Sequence, residues 1–374
     1  MRVAIVGAFP EKPDLPRGGP QAGAVTLVRA LLNVQPDLDL HVLRCPASEE
    51  HPPRRQGEPP YTVHDVYFGG PMKDMLTGRR ARHRVQRLLD ELAPDVVHVR
   101  GHARLVDGRR YPSVLSIHGF PERDTMYRNP RSGWLRGLVL TRLYRKARAR
   151  YPHILANAAY VAREIQPYCR GRIHLVPNAV DERFFAIERQ ESGPRILTAA
   201  VLGPLKNIHG LMEAVDILAK RGVACQLRLA GPIVAEGYRE RLEDLSRQFG
   251  IEQQVTFLGK LDRPALIEEM RAARCLALPS FLEGSPNIVS EAAAVGVPAV
   301  VSWAGGAPEL VFHGYSGYVV DPYSSESIAD GLQPFLEDAN LAGTFGRRAR
   351  GQVEPQRADA VAEKTICVYR LVAG

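Results

Sequence analysis

The stretch 275-CLALPSFLEGSPNIVSEAAAVGVPAVVS-302 decides the fold. Cys275–Leu278 is a short apolar run that reads as a buried strand. Ser285 stands where an N-cap is wanted, and Pro286 suits a first helical turn. Gly296 closes the helix and Pro298 opens a second apolar run. The sequence therefore spells strand, helix, strand. Glu283 falls at the C-terminal lip of the first strand, and Glu291 about two turns further on, inside the helix. Between them the helix N-terminus points N–H groups at the same crevice, which suits an anionic ligand such as a diphosphate. Context carries this reading, since Glu50 and Glu58 repeat the E-x7-E spacing inside a Pro-rich loop. Spacing and context alone leave an ordinary βαβ unit with exposed acids equally open.

On either side the same alternation continues. Strands are expected at 196–201, 226–230, 255–258, 299–302 and 317–320, with helical patterns between them. The first half repeats the scheme, with strands expected at 2–7, 40–43, 96–99, 114–118, 154–157 and 173–176. Helices are expected there at 21–32 and 85–92, and a Pro- and charge-rich loop over 46–60. Strands spaced by helices imply parallel, doubly wound α/β sheets. A chain of 374 residues is too long for one core, so two Rossmann-like domains facing a cleft are expected. The boundary is placed near 185: an N-terminal domain over 1–185 and a C-terminal one over 186–353. The closing segment 354–374 reads as one long helix whose apolar end needs a surface to pack on.

With 45% hydrophobic and 24% charged residues the composition is that of a globular protein, and no apolar stretch is long enough to span a bilayer. The opening MRVAIVGAF reads as a buried strand rather than a signal peptide, because polar, Pro-rich sequence follows with no small-residue cleavage site. Cys45, Cys169, Cys225, Cys275 and Cys367 are scattered without a C-x2-C, and read as reduced core residues of a cytoplasmic protein. The charge is uneven. Residues 1–185 hold 30 Lys/Arg against 18 Asp/Glu, a net of +12, leaving −4 for the rest of a chain at +8. The basic excess peaks in 79-RRARHRVQR-87 and 136-RGLVLTRLYRKARAR-150. The second reads as an amphipathic helix with Leu135, Val139, Leu140, Leu143 and Ala147 on one side and arginines around the rest. Such a helix is either a solvated surface element or suited to peripheral contact with an anionic membrane. Nucleic acid fits less well, for want of a binding motif or aromatic interleaving.

Open α/β sheets bind ligands at the carboxyl ends of their strands, and the chemically distinctive residues gather there. Gly18 and Gly19 follow the first strand and precede a helix, where backbone can approach a phosphate, although the segment reads equally as a turn. Gly7 is followed by AFPEKP, so no G-x-G-x-x-G exists, which counts against a nicotinamide enzyme. His98, Arg100 and His102 accompany the strand at 96–99, Asn157 ends another and Asn178 follows a third; the first three with Asn157 form a candidate acceptor side. His118 ends its strand, where it can serve a sugar hydroxyl or carbonyl, although a strand-end histidine taken alone is more often structural. Lys206 follows the first strand of the second half and can bring a cation to a departing diphosphate, or be a plain surface lysine. No histidines, carboxylates and thiolates share metal-ligand spacing, so no metal site or cofactor is expected.

Together these residues resemble the GT-B glycosyltransferases of family 4, over almost the whole chain. The resemblance rests on Gly18-Gly19, on Ile117-His118-Gly119, on 176-VPNAVDERFF-185 and on the E-x7-E pair running into 291-EAAAVGVPAVV-301. It also takes in 257-FLGK-260, 305-GGAPELVFHGYSGYVV-320 and the closing helix with 368-VYRLV-372, and implies that the segment 354–374 packs back on the first domain. One departure stands out: where the family usually has Gly-Arg, this chain reads Ala200-Val201, with Lys206 kept. The resemblance implies transfer of a sugar from a nucleotide-sugar donor, a UDP-sugar by preference, to a hydroxyl acceptor, with retention and without a metal. It implies catalytic roles for His118, Lys206 and Glu283. It implies donor contacts from Gly18, Gly19, Lys206, Leu258, Lys260, Glu283, Gly284, Ser285, Pro286, Asn287, Ile288 and Glu291, with Glu291 on the ribose. Acceptor contacts would come from the N-terminal loops 46–60, 68–80 and 119–137. The missing arginine keeps open a non-catalytic sugar-nucleotide-binding protein; a phosphorylase of the same fold would need a much longer chain with pyridoxal phosphate.

Overall fold

The computed structural model describes residues 1–14, 16, 18–47, 54–56, 61–67, 79–123, 133–233 and 235–374. The chain forms two compact units: Met1–Ala179 with Ala358–Gly374, and Val180–Arg357. Most of the loop segments 46–60, 68–80 and 119–137, with Glu50 and Glu58, lie outside the described residues.

The first unit is built on β1 (Arg2–Gly7), β2 (Asp39–Ala47), β3 (Arg54–Gln56), β4 (Tyr61–Tyr67), β5 (Val96–Arg100), β6 (Ser113–Ile117), β7 (His153–Ala156) and β8 (Arg172–Leu175). They form one sheet in the order β3-β4-β2-β1-β5-β6-β7-β8, parallel at every pairing except β3 with β4. Period-two alternation sorts the side chains of β1 to two faces. Val3 and Ile5 pack with the helices Gly19–Val34 and Ala358–Ala373, while Ala4 and Val6 pack with Val85 and Leu89 of the helix Arg79–Leu92.

The second unit carries β9 (Arg195–Ala199), β10 (Gln226–Ala230), β11 (Val255–Gly259), β12 (Cys275–Leu278), β13 (Ala299–Ser302) and β14 (Gly317–Val320). Its order is β11-β10-β9-β12-β13-β14, parallel throughout. Both faces are covered here too: Ile196, Cys275 and Ala277 belong to one core, Leu197, Leu276 and Leu278 to the other. The strand order reverses between β9 and β12, which in a doubly wound sheet is where a ligand crevice opens.

Several sequence expectations are corrected. The division falls at Ala179/Val180 rather than after 185, because Phe184 and Phe185 are buried in the second unit's core beside Leu197 and Met270. The closing helix is Ala358–Ala373; Glu354–Gln356 before it is a 3-10 turn of the second unit. Strand β4 lies where no strand was expected. Its apolar pattern is broken by His64 and Asp65, yet both are buried: Arg44 on β2 donates to Asp65 at 2.5 Å, and the His41 and His64 rings meet at 3.0 Å. In the helix Gly133–Arg148, Leu140, Leu143 and Ala147 of the expected apolar side are half-buried, while Val139 is exposed along with Leu138. Arg148 is instead buried, its guanidinium forked onto Glu122 at 2.5 and 3.1 Å and lying over the Phe120 and Tyr144 rings. Arg145 lies over the Tyr168 ring. These contacts are structural, and they give the membrane-facing reading of this helix no support. Four cysteines are buried as expected, whereas Cys367 is exposed on the outer side of its helix. Among the described residues no helix is long and apolar enough to cross a membrane.

Candidate active site

In the second unit the loops leaving β9 and β12 are stitched together at the switch point. Phe281 N–H donates to the Leu205 carbonyl at 2.9 Å, bringing the turn that carries Lys206 beside the loop that carries Glu283. That turn is a 3-10 turn, Pro204–Lys206, ended by Asn207 in the left-handed conformation (φ 54°). The Asn207 side chain is buried and donates to the Pro322 carbonyl at 2.7 Å, so the turn is locked from below. On the other flank Gly306 N–H donates to the Glu283 carbonyl at 2.9 Å. Gly305 (φ 89°) must be glycine, since a Cβ there would lie 2.1 Å from that same carbonyl oxygen. The result is a short ion pair, Lys206 Nζ to Glu283 Oε1 at 2.5 Å, with side chains 20% and 12% exposed.

Past Glu283 the chain enters the helix Asn287–Val295, which Gly296 ends with φ 88°. Pro286, not Ser285, occupies the N-cap and makes no side-chain cap bond. The proline is extended (φ −74°, ψ 114°), so the helix starts one residue later than Ser285 would place it. Glu291 lies on this helix, largely buried. Burial raises its carboxyl above the ordinary value, with Arg263 working against the rise and Asp181 with it. Of the other expected donor contacts, Leu258 and Ile288 are half-buried against the core, Gly284, Ser285, Pro286 and Asn287 line the half-buried approach to the helix, and Lys260 is exposed beyond the turn at Gly259.

In the first unit Gly18 and Gly19 sit at the head of the helix Gly19–Val34, and a Cβ on Gly18 would meet nothing within 4 Å. His118, Asn157 and Asn178 follow the adjacent strands β6, β7 and β8. Asn178 Oδ1 lies 3.0 Å from His118 Nδ1 and 3.2 Å from Asn157 Nδ2. Burial, then the charge of Arg100, pushes His118 down to about 3 against the pull of Asn178, so the ring is neutral. An amide oxygen only accepts, so Nδ1 carries the proton and the buried, unpartnered Nε2 is an acceptor. Asn157 Oδ1 is likewise buried without a partner. Burial holds the Arg100 guanidinium down at about 10 and lowers His102. His98 is corrected: its ring is fully buried, with Nδ1 at 2.5 Å from Tyr369 Oη and Nε2 at 2.6 Å from Ser116 Oγ, so it is a strut of the core rather than an acceptor-side group.

Comparison with known proteins bears on both units. The model of Glycosyltransferase Family 4 matches residues 17–184, and that of Glycosyl transferases group 1 matches residues 180–352. The chain belongs to this glycosyltransferase family. It is 30% identical over 179 residues to a D-inositol 3-phosphate glycosyltransferase of Streptomyces griseus, covering 46% of this chain and 38% of that protein. It is 32% identical over 181 residues to a GDP-mannose-dependent alpha-(1-6)-phosphatidylinositol monomannoside mannosyltransferase of Mycobacterium tuberculosis, covering 46% of each. The chain thus spans about half the length of the curated relatives it matches. In three dimensions it is similar to sucrose-phosphate synthase from Thermosynechococcus elongatus, with a TM-score of 0.85 at 17% identity over 100% of this chain and 99% of that one. Anabaena HepE, solved in complex with UDP and glucose, gives a TM-score of 0.74 at 16% identity over 99% and 100% of the two chains. At these identities the likeness fixes the fold, which is GT-B.

Two features of the family site in this chain were not read from its sequence. One is Arg263 with Asp181, which gather around Glu291. The other is a row of aromatic rings from three strand ends, Phe281–Tyr323 at 5.1 Å and Tyr323–Trp303 at 6.3 Å between centroids, with Trp303 and Tyr323 more than half exposed. Trp303 could have been noticed as an apolar residue in a loop; nothing local distinguishes Arg263 from its neighbours.

Proposed function

We propose that this protein transfers a sugar from a nucleoside-diphosphate sugar, a UDP-sugar by preference, to a hydroxyl acceptor, with retention at the anomeric carbon. The observation that carries the reading is the Lys206–Glu283 pair at the β9/β12 switch point, set before the helix that holds Glu291. Lys206 and the helix N-terminus supply positive charge to the diphosphate as it departs, so the reading requires no metal. Glu283 takes hydrogen bonds from hydroxyls of the donor sugar and Glu291 from those of the ribose. With the diphosphate bound, Lys206 exchanges its contact with Glu283 for one shared with phosphate. The incoming hydroxyl attacks from the face the diphosphate leaves, and a leaving-group oxygen takes its proton. His118, neutral and with Nε2 as acceptor, orients a sugar hydroxyl. On this reading the second unit holds the donor and the first the acceptor. UDP is favoured because a GT-B neighbour is solved with UDP, although one relative is named for GDP-mannose.

The alternative is a sugar-nucleotide binder without turnover, motivated by Val201, 40% exposed where the family usually has arginine. Release of nucleoside diphosphate from UDP-glucose, UDP-N-acetylglucosamine, ADP-glucose and GDP-mannose separates the two. Transfer or slow hydrolysis gives steady release that Lys206→Ala lowers about a hundredfold or more. Binding seen by thermal shift with no release from any donor leaves the binder.

A further inference from the structure

Arg263 opens the helix Arg263–Ala272, just past Asp262, whose side chain caps that helix through Ala265 N–H. Its guanidinium does not run out to solvent. It lies over the Phe184 ring at 5.4 Å, and its side chain is only 12% exposed. There Nη1 stands between two carboxylates, 3.6 Å from Asp181 Oδ2 and 3.9 Å from Glu291 Oε1, and makes no hydrogen bond. The two acids are not equivalent. Asp181 is already engaged by Arg183, through its backbone N–H at 3.0 Å and its guanidinium at 3.0 and 2.9 Å. Burial works to raise the Asp181 carboxyl, the Arg183 bonds outweigh it, and the group stays below its ordinary value as a fixed anion. Among the described residues none shows such a hydrogen bond to Glu291; the charged groups acting on it are Arg263 from one neighbouring helix and Asp181 from another. Two buried carboxylates this close repel, and without a cation the less solvated one takes up a proton.

We propose that Arg263 is a positioning residue for the nucleotide site: clamped over Phe184 and beside Asp181, it keeps Glu291 ionised and aimed as the acceptor for a ribose diol. This rests on the assignment of Glu291 to the ribose made above. A neutral carboxyl would have only part of its accepting capacity left for two hydroxyl donors, whereas a carboxylate takes both. The unbonded Nη1 is the atom able to follow the Glu291 carboxylate when it turns to the ligand.

The test is calorimetric titration of UDP, and separately GDP, into wild type, Arg263→Gln, Arg263→Lys, Glu291→Gln and the double variant Arg263→Gln/Glu291→Gln, from pH 5.5 to 8.5. Glu291→Gln weakens the nucleotide that binds. Arg263→Gln weakens it about tenfold near pH 6.5, and its acid loss of affinity begins about one pH unit above that of wild type, since one unit in the Glu291 equilibrium is tenfold in its ionised fraction. Affinity is recovered as pH rises, because the carboxylate is the binding form. Arg263→Lys keeps the charge and stays close to the wild-type profile, and the double variant binds like Glu291→Gln alone. The inference is overturned if Arg263→Gln matches wild type at every pH, if its loss is independent of pH, or if its loss adds in full to that of Glu291→Gln. If Glu291→Gln itself binds both nucleotides as wild type does, the ribose assignment fails and takes the inference with it. That outcome is distinct from silence of the Arg263 variants alone.

Discussion

Glu283 and Glu291 are alike in sequence and unlike in surroundings. Glu283 meets a lysine directly at 2.5 Å, while Glu291 is buried with a guanidinium 3.9 Å away, beyond hydrogen-bond reach. On the proposed reading the first serves the donor sugar, where charge develops during reaction, and the second holds the ribose, where it does not. Glu283→Gln should therefore lower turnover about a hundredfold while leaving UDP affinity within about threefold, because it removes an interaction made chiefly in the transition state. Steady-state kinetics beside direct UDP titration checks this; equal losses in both would assign Glu283 to ground-state nucleotide binding. The places of Lys206 and Glu283 in loops that leave strands, and of Glu291 on the helix between two strands, were legible from local pattern. Arg263 and Asp181 were not, because their relation to Glu291 exists only once three helices have packed. His98 misled for the opposite reason: it falls on a strand like a site residue, yet Tyr369 and Ser116 seal both ring nitrogens.

At the scale of elements, most strands that read correctly are buried on both faces, where parallel sheets call for continuous apolar runs, while the edge strands β8 and β11 read correctly although they are less buried. Strand β4 escaped because a buried Arg44–Asp65 pair and two histidines occupy positions where apolar residues signal a strand. The helix Gly133–Arg148 was expected, but the burial of its Arg148 was not, since a sequence of arginines reads as solvated unless one of them is paired inside. Arg148 and Glu122 are each 4% exposed at the side chain. Removing one partner leaves a buried charge alone, so Glu122→Ala should cost about 3–5 kcal/mol, whereas replacing the exposed Leu138 should cost within about 0.5 kcal/mol. Urea unfolding followed by circular dichroism measures both, and a Glu122→Ala loss below 1 kcal/mol would mean the pair is solvated.

For the whole molecule, the closing helix goes where the family resemblance implied, to the unit that is remote from it in the chain. It returns to the first unit, where Val361, Ala362, Ile366, Val368 and Tyr369 complete a core shared with Leu27, Leu31 and β1. Asn33 donates to Asp359 at 2.7 Å across the same seam. Deleting 358–374 removes burial on the order of 5–10 kcal/mol, about the whole stability of a domain. The first unit should then fail to fold cooperatively, while the second, whose core residues all lie within 180–357, keeps its own transition. Calorimetry of the truncated chain should show one transition surviving; loss of both would mean the units fold only together.

Sequence by itself determined the αβ alternation, the two-unit plan and the positions of Lys206 and Glu283 after strands and of Glu291 on a helix, because hydrophobic period, caps and turn residues act over a few neighbours. Only tertiary structure decided which polar residues are buried and by what they are met. It buried Arg148, Asp65 and His98 within the units and set Arg263 between Asp181 and Glu291. Those outcomes depend on contacts between residues far apart in the chain, where the cost of burying a charge is offset by a partner that no local pattern names.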